Sequence, residues 1–354
     1  MFVALSFIGK LPEYILDCIH QIRLFYDGKI VLILDDLNSP YLPELTGKYM
    51  IDIVNYNDVL SPEFIHCYNQ NKDKFMLLPW LKDRELLFIR CFERFFLLGN
   101  AMKKHNLTDC FFMELDNLIY DDPRVWLSEF QKWKMCFMFD HHNRAASGVM
   151  YIKDSASMDG LLEYMIEFIN QWEVDPEVWL SEMAMLYGYY LSSSGPNLTP
   201  EEFGGFLRSD SGVGKATRNP LPTVADSLEK SPNNEGRRPE LFEYNVQFMP
   251  TFWSTSEESS FPSIHFDKYN NTIFDAAAIG IMLYGFDTGD KDKPRDIGTK
   301  SKYSLLDYTP YKLVWKTDEK NRLIPYFYID NNYIKINNLH VHCKNLAQGL
   351  SFPR

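Results

Sequence analysis

The opening of the chain restricts the fold more than any other stretch. Phe2 to Ile8 is an apolar run that reads as a buried strand. Gly9 breaks it, and Pro12 stands where a first helical turn tolerates proline. Ile15, Cys18, Ile19 and Ile22 then recur at helical spacing, which predicts an amphipathic helix over Leu11 to Phe25, stopped by Gly28. Lys29 to Leu34 is a second apolar strand, ending in Asp35 and Asp36. Strand, helix, strand in this order is a βαβ unit, so the two strands should lie parallel in one sheet. Ile51 to Tyr56 supplies a third strand. The fold class expected is α/β, with a mostly parallel sheet flanked by helices.

Such a layer binds ligands beyond the carboxyl ends of its strands. Asp35 ends the second strand, where a nucleotide can be held, although the glycine-rich dinucleotide fingerprint is missing. The sharper signal lies further on, in CFFMELDNLIYDDP from Cys110 to Pro123. Cys110 to Met113 reads as a strand buried on both faces. Glu114 and Asp116 follow, and carboxylates at i and i+2 on a strand point to the same side. Two like charges there repel unless a cation lies between them. Hard oxygen ligands suit Mg²⁺ or Mn²⁺, ions that commonly carry substrate phosphates. A solvated acidic turn is the alternative.

Asp83 to Lys104 predicts a long helix feeding straight into that strand, with Phe88, Cys91, Phe92, Phe95, Leu98 and Met102 as its apolar stripe. Arg90 and Arg94 lie four apart on one face, as a clamp for a diphosphate or as a solvated face beside Glu93. Met135 to Phe139 predicts a strand, and the polar cluster Asp140 to Arg144 after it reads as a substrate loop or an exposed turn. Ala146 to Ile152 is a further strand whose small residues allow close backbone approach. Helices are expected over Met158 to Gln171 and Val178 to Tyr190; the second carries Glu182, a lone carboxylate among apolar residues that must be paired, protonated or functional.

Ser192 to Arg238 is rich in Ser, Gly, Pro and Asn and reads as a mobile insertion; its GVGK at Gly212 to Lys215 lacks the strand and the Ser or Thr of a phosphate loop. Leu241 to Trp253 has strand-like composition. Ile273 to Phe286 predicts a small, apolar helix opening with Asp275, and Asp287 to Ser304 a charged loop. Tyr311 to Ile336 predicts short strands. In the closing NNLHVHCKNL, His340 and His342 alternate and so share a strand face, with Lys344 two further on.

With 354 residues, 45% hydrophobic and 15% aromatic, the chain can bury a large core. A net charge of -12 argues against a nucleic-acid partner. Met1 to Ile8 is too short and lacks the basic residues of a signal peptide, and no run is long enough to cross a membrane. Six scattered cysteines fit reduced thiols, so a cytoplasmic location is expected.

Four segments, in order, resemble GT-A type glycosyltransferases, in particular a group found in bacterial polysaccharide clusters and in large DNA viruses of algae. They are FIGKLPEYILDCIHQIRLF near the start, FFMELDNLIYDDP as a variant Asp-x-Asp motif with Glu114 in the first place, IFDAAAIGIMLYGFD, and INNLHVHCKNL. Ile281 stands where that group usually has Gln, and Cys343 where it has Ser. The resemblance implies one GT-A-like, Rossmann-type domain with a smaller acceptor-side sheet. Residues 1–120 would form the nucleotide half, 121–290 the acceptor half with the 192–238 insertion, and 291–354 a return to the metal.

It further implies transfer of a sugar, such as a hexose, from a UDP-type nucleoside diphosphate to a glycan acceptor, in viral capsid or surface glycan synthesis in a host cytoplasm. Asp116 and Glu114 would hold Mn²⁺ or Mg²⁺ with His342 as a further ligand. Lys344 would meet the diphosphate; Phe7, Gly9, Asp35, Arg90 and Arg94, from the reading of the residues themselves, are the further candidates for binding the donor. Glu182, or failing it Asp275, would be the general base of an inverting enzyme. An inactive sugar or nucleotide-sugar binder, and a nucleotidyltransferase or phosphatase, are the alternatives.

Overall fold

A computed structural model of the chain describes residues 1–75, 85–141, 144–172, 180–194, 246–250, 271–287, 295–300, 308–329 and 331–354. Helix and strand alternate from the start. β1 (Phe2–Phe7) leads to α1 (Ile15–Phe25), β2 (Ile30–Leu34), α2 (Leu42–Gly47), β3 (Asp52–Asn55) and α3 (Pro62–Gln70). α4 (Glu85–Lys104) then runs into β4 (Cys110–Met113). After β5 (Asn117–Ile119) and α5 (Leu127–Phe130) come β6 (Met135–His141), β7 (Arg144–Ile152), α6 (Ser155–Gln171) and α7 (Glu182–Ser194).

β8 (Val246–Phe248) completes a seven-stranded sheet in the order β3-β2-β1-β4-β7-β6-β8. β3, β2, β1 and β4 are mutually parallel, β7 is antiparallel to β4 and β6, and β8 is parallel to β6. The chain moves outward from β1 to β3 and returns to the other side of β1 as β4. The direction of winding therefore reverses between β1 and β4, which is where an open α/β sheet leaves a ligand crevice. All four β4 residues are buried, as the apolar run predicts.

A second sheet, in the order β10-β11-β12-β9, is built from β9 (Thr272–Ile273), β10 (Lys312–Thr317), β11 (Leu323–Ile329) and β12 (Asn332–Ile336). From its end the chain enters β13 (Asn338–His340), which pairs antiparallel with β5. Asn337 fixes this passage through its backbone: its N–H reaches the Ile273 carbonyl and its own carbonyl accepts from Tyr120 N, each at 2.8 Å.

Two elements differ from expectation for reasons of local hydrogen bonding. The helix expected over Ile273 to Phe286 is only Ala278–Tyr284, because the Asp275 side chain captures the amides that would begin it. Ala277 takes φ 122° to allow this. The helix expected from Val178 starts at Glu182, where the Ser181 hydroxyl accepts from Met183 N at 3.2 Å. Of the insertion expected over 192–238, residues 192–194 belong to α7, while 195–238, GVGK at Gly212 to Lys215, and His142 and Asn143 lie outside the described residues.

Gly280 lies against β13. A Cβ on it would overlap the His340 carbonyl oxygen, a backbone atom with no freedom to retreat. Gly280→Ala should therefore destabilise by at least about 2 kcal/mol, since overpacking outweighs the roughly 1 kcal/mol that alanine gains in a helix. A denaturant melt checks this, with an unchanged midpoint counting against it.

Candidate active site

The strand β4 gives out into a turn at the sheet's switch point. Glu114 N donates to the Gly148 carbonyl at 3.0 Å, and Asn117 N to the Glu114 carbonyl at 3.1 Å, so the two carboxylates project beyond the strand end. Pairing of β5 with β13 sets His340 opposite Asn117, and Val341 N donates to the Asp116 carbonyl at 2.7 Å. This brings the His340 imidazole over the acidic pair. Its Nε2 lies 3.3 Å from Glu114 Oε2 and 3.2 Å from Asp116 Oδ2. Gly148 leaves room for the ring: a Cβ there would stand 3.0 Å from His340 Nδ1. The small residues of Ala146 to Ile152 thus admit a side chain of the site.

Lys344 adopts φ 61°, a left-handed turn that costs a non-glycine residue free energy and swings its ammonium onto Asp116 Oδ2. Asp116 is buried, which works against its charge, but His340 and Lys344 outweigh burial and hold its carboxyl well below the usual range. Burial presses the His340 pKa down, yet Asp116 and Glu114 raise it above the ordinary imidazole value. Lys344 is likewise raised by Asp116 against the effect of burial.

The residues fit a divalent cation. One donor atom from each of Glu114, Asp116 and His340 lies within 4.8 Å of the others. Ligands set at right angles about 2.1 Å from a Mg²⁺-type ion are about 3.0 Å apart, close to the two separations found here. Two carboxylates and an imidazole offer such an ion both oxygen and nitrogen donors.

Expectation and structure part company over which histidine joins the carboxylates. The resemblance implies His342 as the further ligand; in the structure it is His340 whose imidazole lies over the carboxylates. The strand ends at His340, the backbone turns so that His342 N meets the His340 carbonyl at 3.2 Å, and the alternation assumed for an extended strand is lost. His342 stacks on His340 with ring centroids 4.6 Å apart, so it backs the site.

Asp275 is corrected too. Its Oδ1 accepts from Ala277 N and Ile279 N at 2.9 and 2.8 Å, and its Oδ2 from Gly280 N and His340 N at 2.8 and 3.1 Å. With both oxygens spent on backbone amides and no exposure, it anchors β13 and is not available as a general base.

The two arginines of α4 separate. Arg90 pairs with Glu93, whose carboxylate also accepts from the Tyr56 hydroxyl. Arg94 turns into the site: its guanidinium lies 2.5 Å from Glu114 Oε1, donates to Ser147 Oγ at 2.6 Å and reaches Glu182 Oε1 at 3.5 Å. Burial raises the Glu182 carboxyl, Arg94 lowers it, and Glu114 raises it again. Glu182 opens α7, where the N–H groups of a helix start favour a carboxylate.

On the nucleotide side, Asp35 Oδ1 accepts from Gly9 N at 2.8 Å, so it holds the β1–α1 loop. Gly9 has φ 115°, and a Cβ there would meet nothing, so the loop borders open space. Phe7, half-buried, ends β1 just before it. Tyr14 is a site neighbour the sequence did not single out; burial raises its pKa, with Lys344 opposing.

The sequence matches no protein-family model and no curated protein. Among solved structures the chain is similar to "PaToxG Glycosyltransferase", at 12% identity over 58% of this chain and 74% of that one, with a TM-score of 0.35. It is also similar to mouse xyloside xylosyltransferase 1 in its apo form, at 8% identity over 56% and 83%, with a TM-score of 0.36.

The raised His340 pKa fixes a sign. A base whose pKa is higher folded than unfolded adds stability that is whole below the unfolded value of about 6.5 and lost as pH rises through the folded value. Metal-free protein should thus lose stability above that pH, and His340→Gln should flatten the dependence. Mn²⁺ affinity should run the opposite way, rising as the proton leaves the ring. Thermal melts across pH, with and without Mn²⁺, check both.

Proposed function

We propose that the protein is a glycosyltransferase that uses a divalent cation, Mn²⁺ or Mg²⁺, and a nucleoside-diphosphate sugar, with UDP as the nucleotude expected from the resemblance. The observation that carries this is the Glu114–Asp116–His340 group at the β1/β4 switch point, with Lys344 on Asp116. Charge supports it. With Glu182 ionised and His340 neutral, three carboxylates face the two cations Arg94 and Lys344, leaving one negative charge. A divalent ion reverses that sign and makes the crevice attractive to a diphosphate. The four segments that resemble GT-A glycosyltransferases, two of which supply Asp116 and His340, support a sugar as the group carried on that diphosphate.

When bound, the metal neutralises charge developing on the departing diphosphate. The chain's own residues do the rest. Glu114, Asp116 and His340 hold the ion. Lys344, whose ammonium lies on Asp116, would meet a phosphate of the donor. The loop at Gly9, tied to Asp35, offers backbone close to the nucleotide. Glu182 is the carboxylate left to take the acceptor hydroxyl's proton, its pKa raised toward the range a base needs. The acceptor is a glycan on this reading, and a viral or bacterial surface polysaccharide is the setting the resemblance suggests.

Asp116→Ala should abolish Mn²⁺-dependent UDP binding and slow transfer on the order of 10³-fold while the fold survives. His340→Ala should weaken Mn²⁺ binding more than His342→Ala. Calorimetry with a panel of nucleotide sugars, with and without Mn²⁺, reads both. Binding without hydrolysis or transfer would point instead to an inactive nucleotide-sugar binder.

A further inference from the structure

Arg94 does something that the reading above does not require. Its side chain is enclosed, at 12% exposure, between the acidic turn and α7. The guanidinium lies over two rings, Phe95 at 5.3 Å and Phe112 at 5.8 Å, and Phe112 belongs to β4. These faces fix where the charge sits. One nitrogen then takes Glu114 Oε1, while the other takes Ser147 Oγ and Glu182 Oε1. Ser147 Oγ also donates to the same Glu114 oxygen at 3.4 Å. Glu114 Oε1 is thus held from behind, and its other oxygen, Oε2, is the one turned toward His340.

We infer that Arg94 is a positioning residue that sets the metal-ligating face of Glu114 and fixes it relative to Glu182. The inference rests on the metal reading proposed above. Its chemistry follows from geometry. A free carboxylate can rotate and offer either oxygen, or both, to an ion. A guanidinium is a rigid fork whose donors match carboxylate oxygens, so it removes that freedom, whereas an ammonium is a single point charge that does not. Pinning Oε1 leaves one oxygen for the ion and so favours single-oxygen binding at a defined angle. The same fork reaches Glu182 Oε1, at the start of α7, at 3.5 Å. The ligand and the candidate base are therefore held in one frame. Glutamate in place of the first aspartate of an Asp-x-Asp pattern makes sense here, because its longer side chain can lie between the ion and Arg94. Partners that orient ligands in this way typically matter 10–100-fold in metal affinity.

The test is Mn²⁺ affinity of the full chain, read by calorimetry or by loss of the free-ion EPR signal, with no sugar or acceptor present. Arg94→Lys keeps the charge and removes the fork; it should stay folded by circular dichroism and bind Mn²⁺ roughly 10-fold more weakly. Arg94→Met should fall further, and adding Glu182→Gln to it relieves the uncompensated carboxylate if the single variant does not fold. In either background the affinity loss should persist. A folded Arg94→Lys with wild-type Mn²⁺ affinity overturns the inference and leaves the metal reading standing. Wild-type protein that binds neither Mn²⁺ nor Mg²⁺ overturns the metal reading, and the inference with it.

Discussion

The short pairing of β5 with β13 is the contact on which the site depends. It joins residues more than half the chain apart, and without it no histidine would stand beside Glu114 and Asp116. Only three pairs of residues make the ladder, too few to be stable unaided. Side chains supply the rest. Asn338 bonds Asn117 and the Asp275 backbone, and the Asp275 carboxylate accepts from His340 N while also capping the helix that begins at Ala278. Gly280 lets that helix close against β13. A buried cage of amides thus does for the histidine what an extended sheet does for β4.

Burying this many charges is costly unless each is matched. Removing one partner of a buried pair typically costs 3–5 kcal/mol, because the remaining charge is left without compensation. Here every carboxylate of the site has a cation within reach: Asp116 has Lys344, and Glu114 and Glu182 share Arg94. The arrangement also leaves Lys344 in a left-handed conformation, a strain that a packed framework must sustain. Lys344, about a third exposed, thus reaches from the site's edge to the buried Asp116 carboxylate.

Much of the scaffold was legible because it is written in local patterns. The βαβ opening, the fully apolar Cys110 to Met113 and the stripe of α4 each express a period or a run that burial demands, and each element is present. The acidic pair was legible for a similar reason: like charges two residues apart on a strand end need an explanation wherever the strand lies. Boundaries were less so. The Asp275 carboxylate and the Ser181 hydroxyl each moved a helix start, through hydrogen bonds that no periodicity records.

The amino-acid sequence by itself determined that a mostly parallel sheet would carry two carboxylates at the end of a central strand, and that histidines and a lysine near the C-terminus were candidates to meet them. Which histidine meets them was decided only by tertiary structure. His340 and His342 are equivalent under strict alternation, and a single turn after His340 makes them different. In the same way Arg94 and Arg90 are neighbours on one helical face, yet Glu114 and Glu182 converge on the first while Glu93 takes the second. Charge type is local and can be read along a chain; the choice of partner depends on which distant backbone arrives within about 3 Å, and that is a property of the folded arrangement alone.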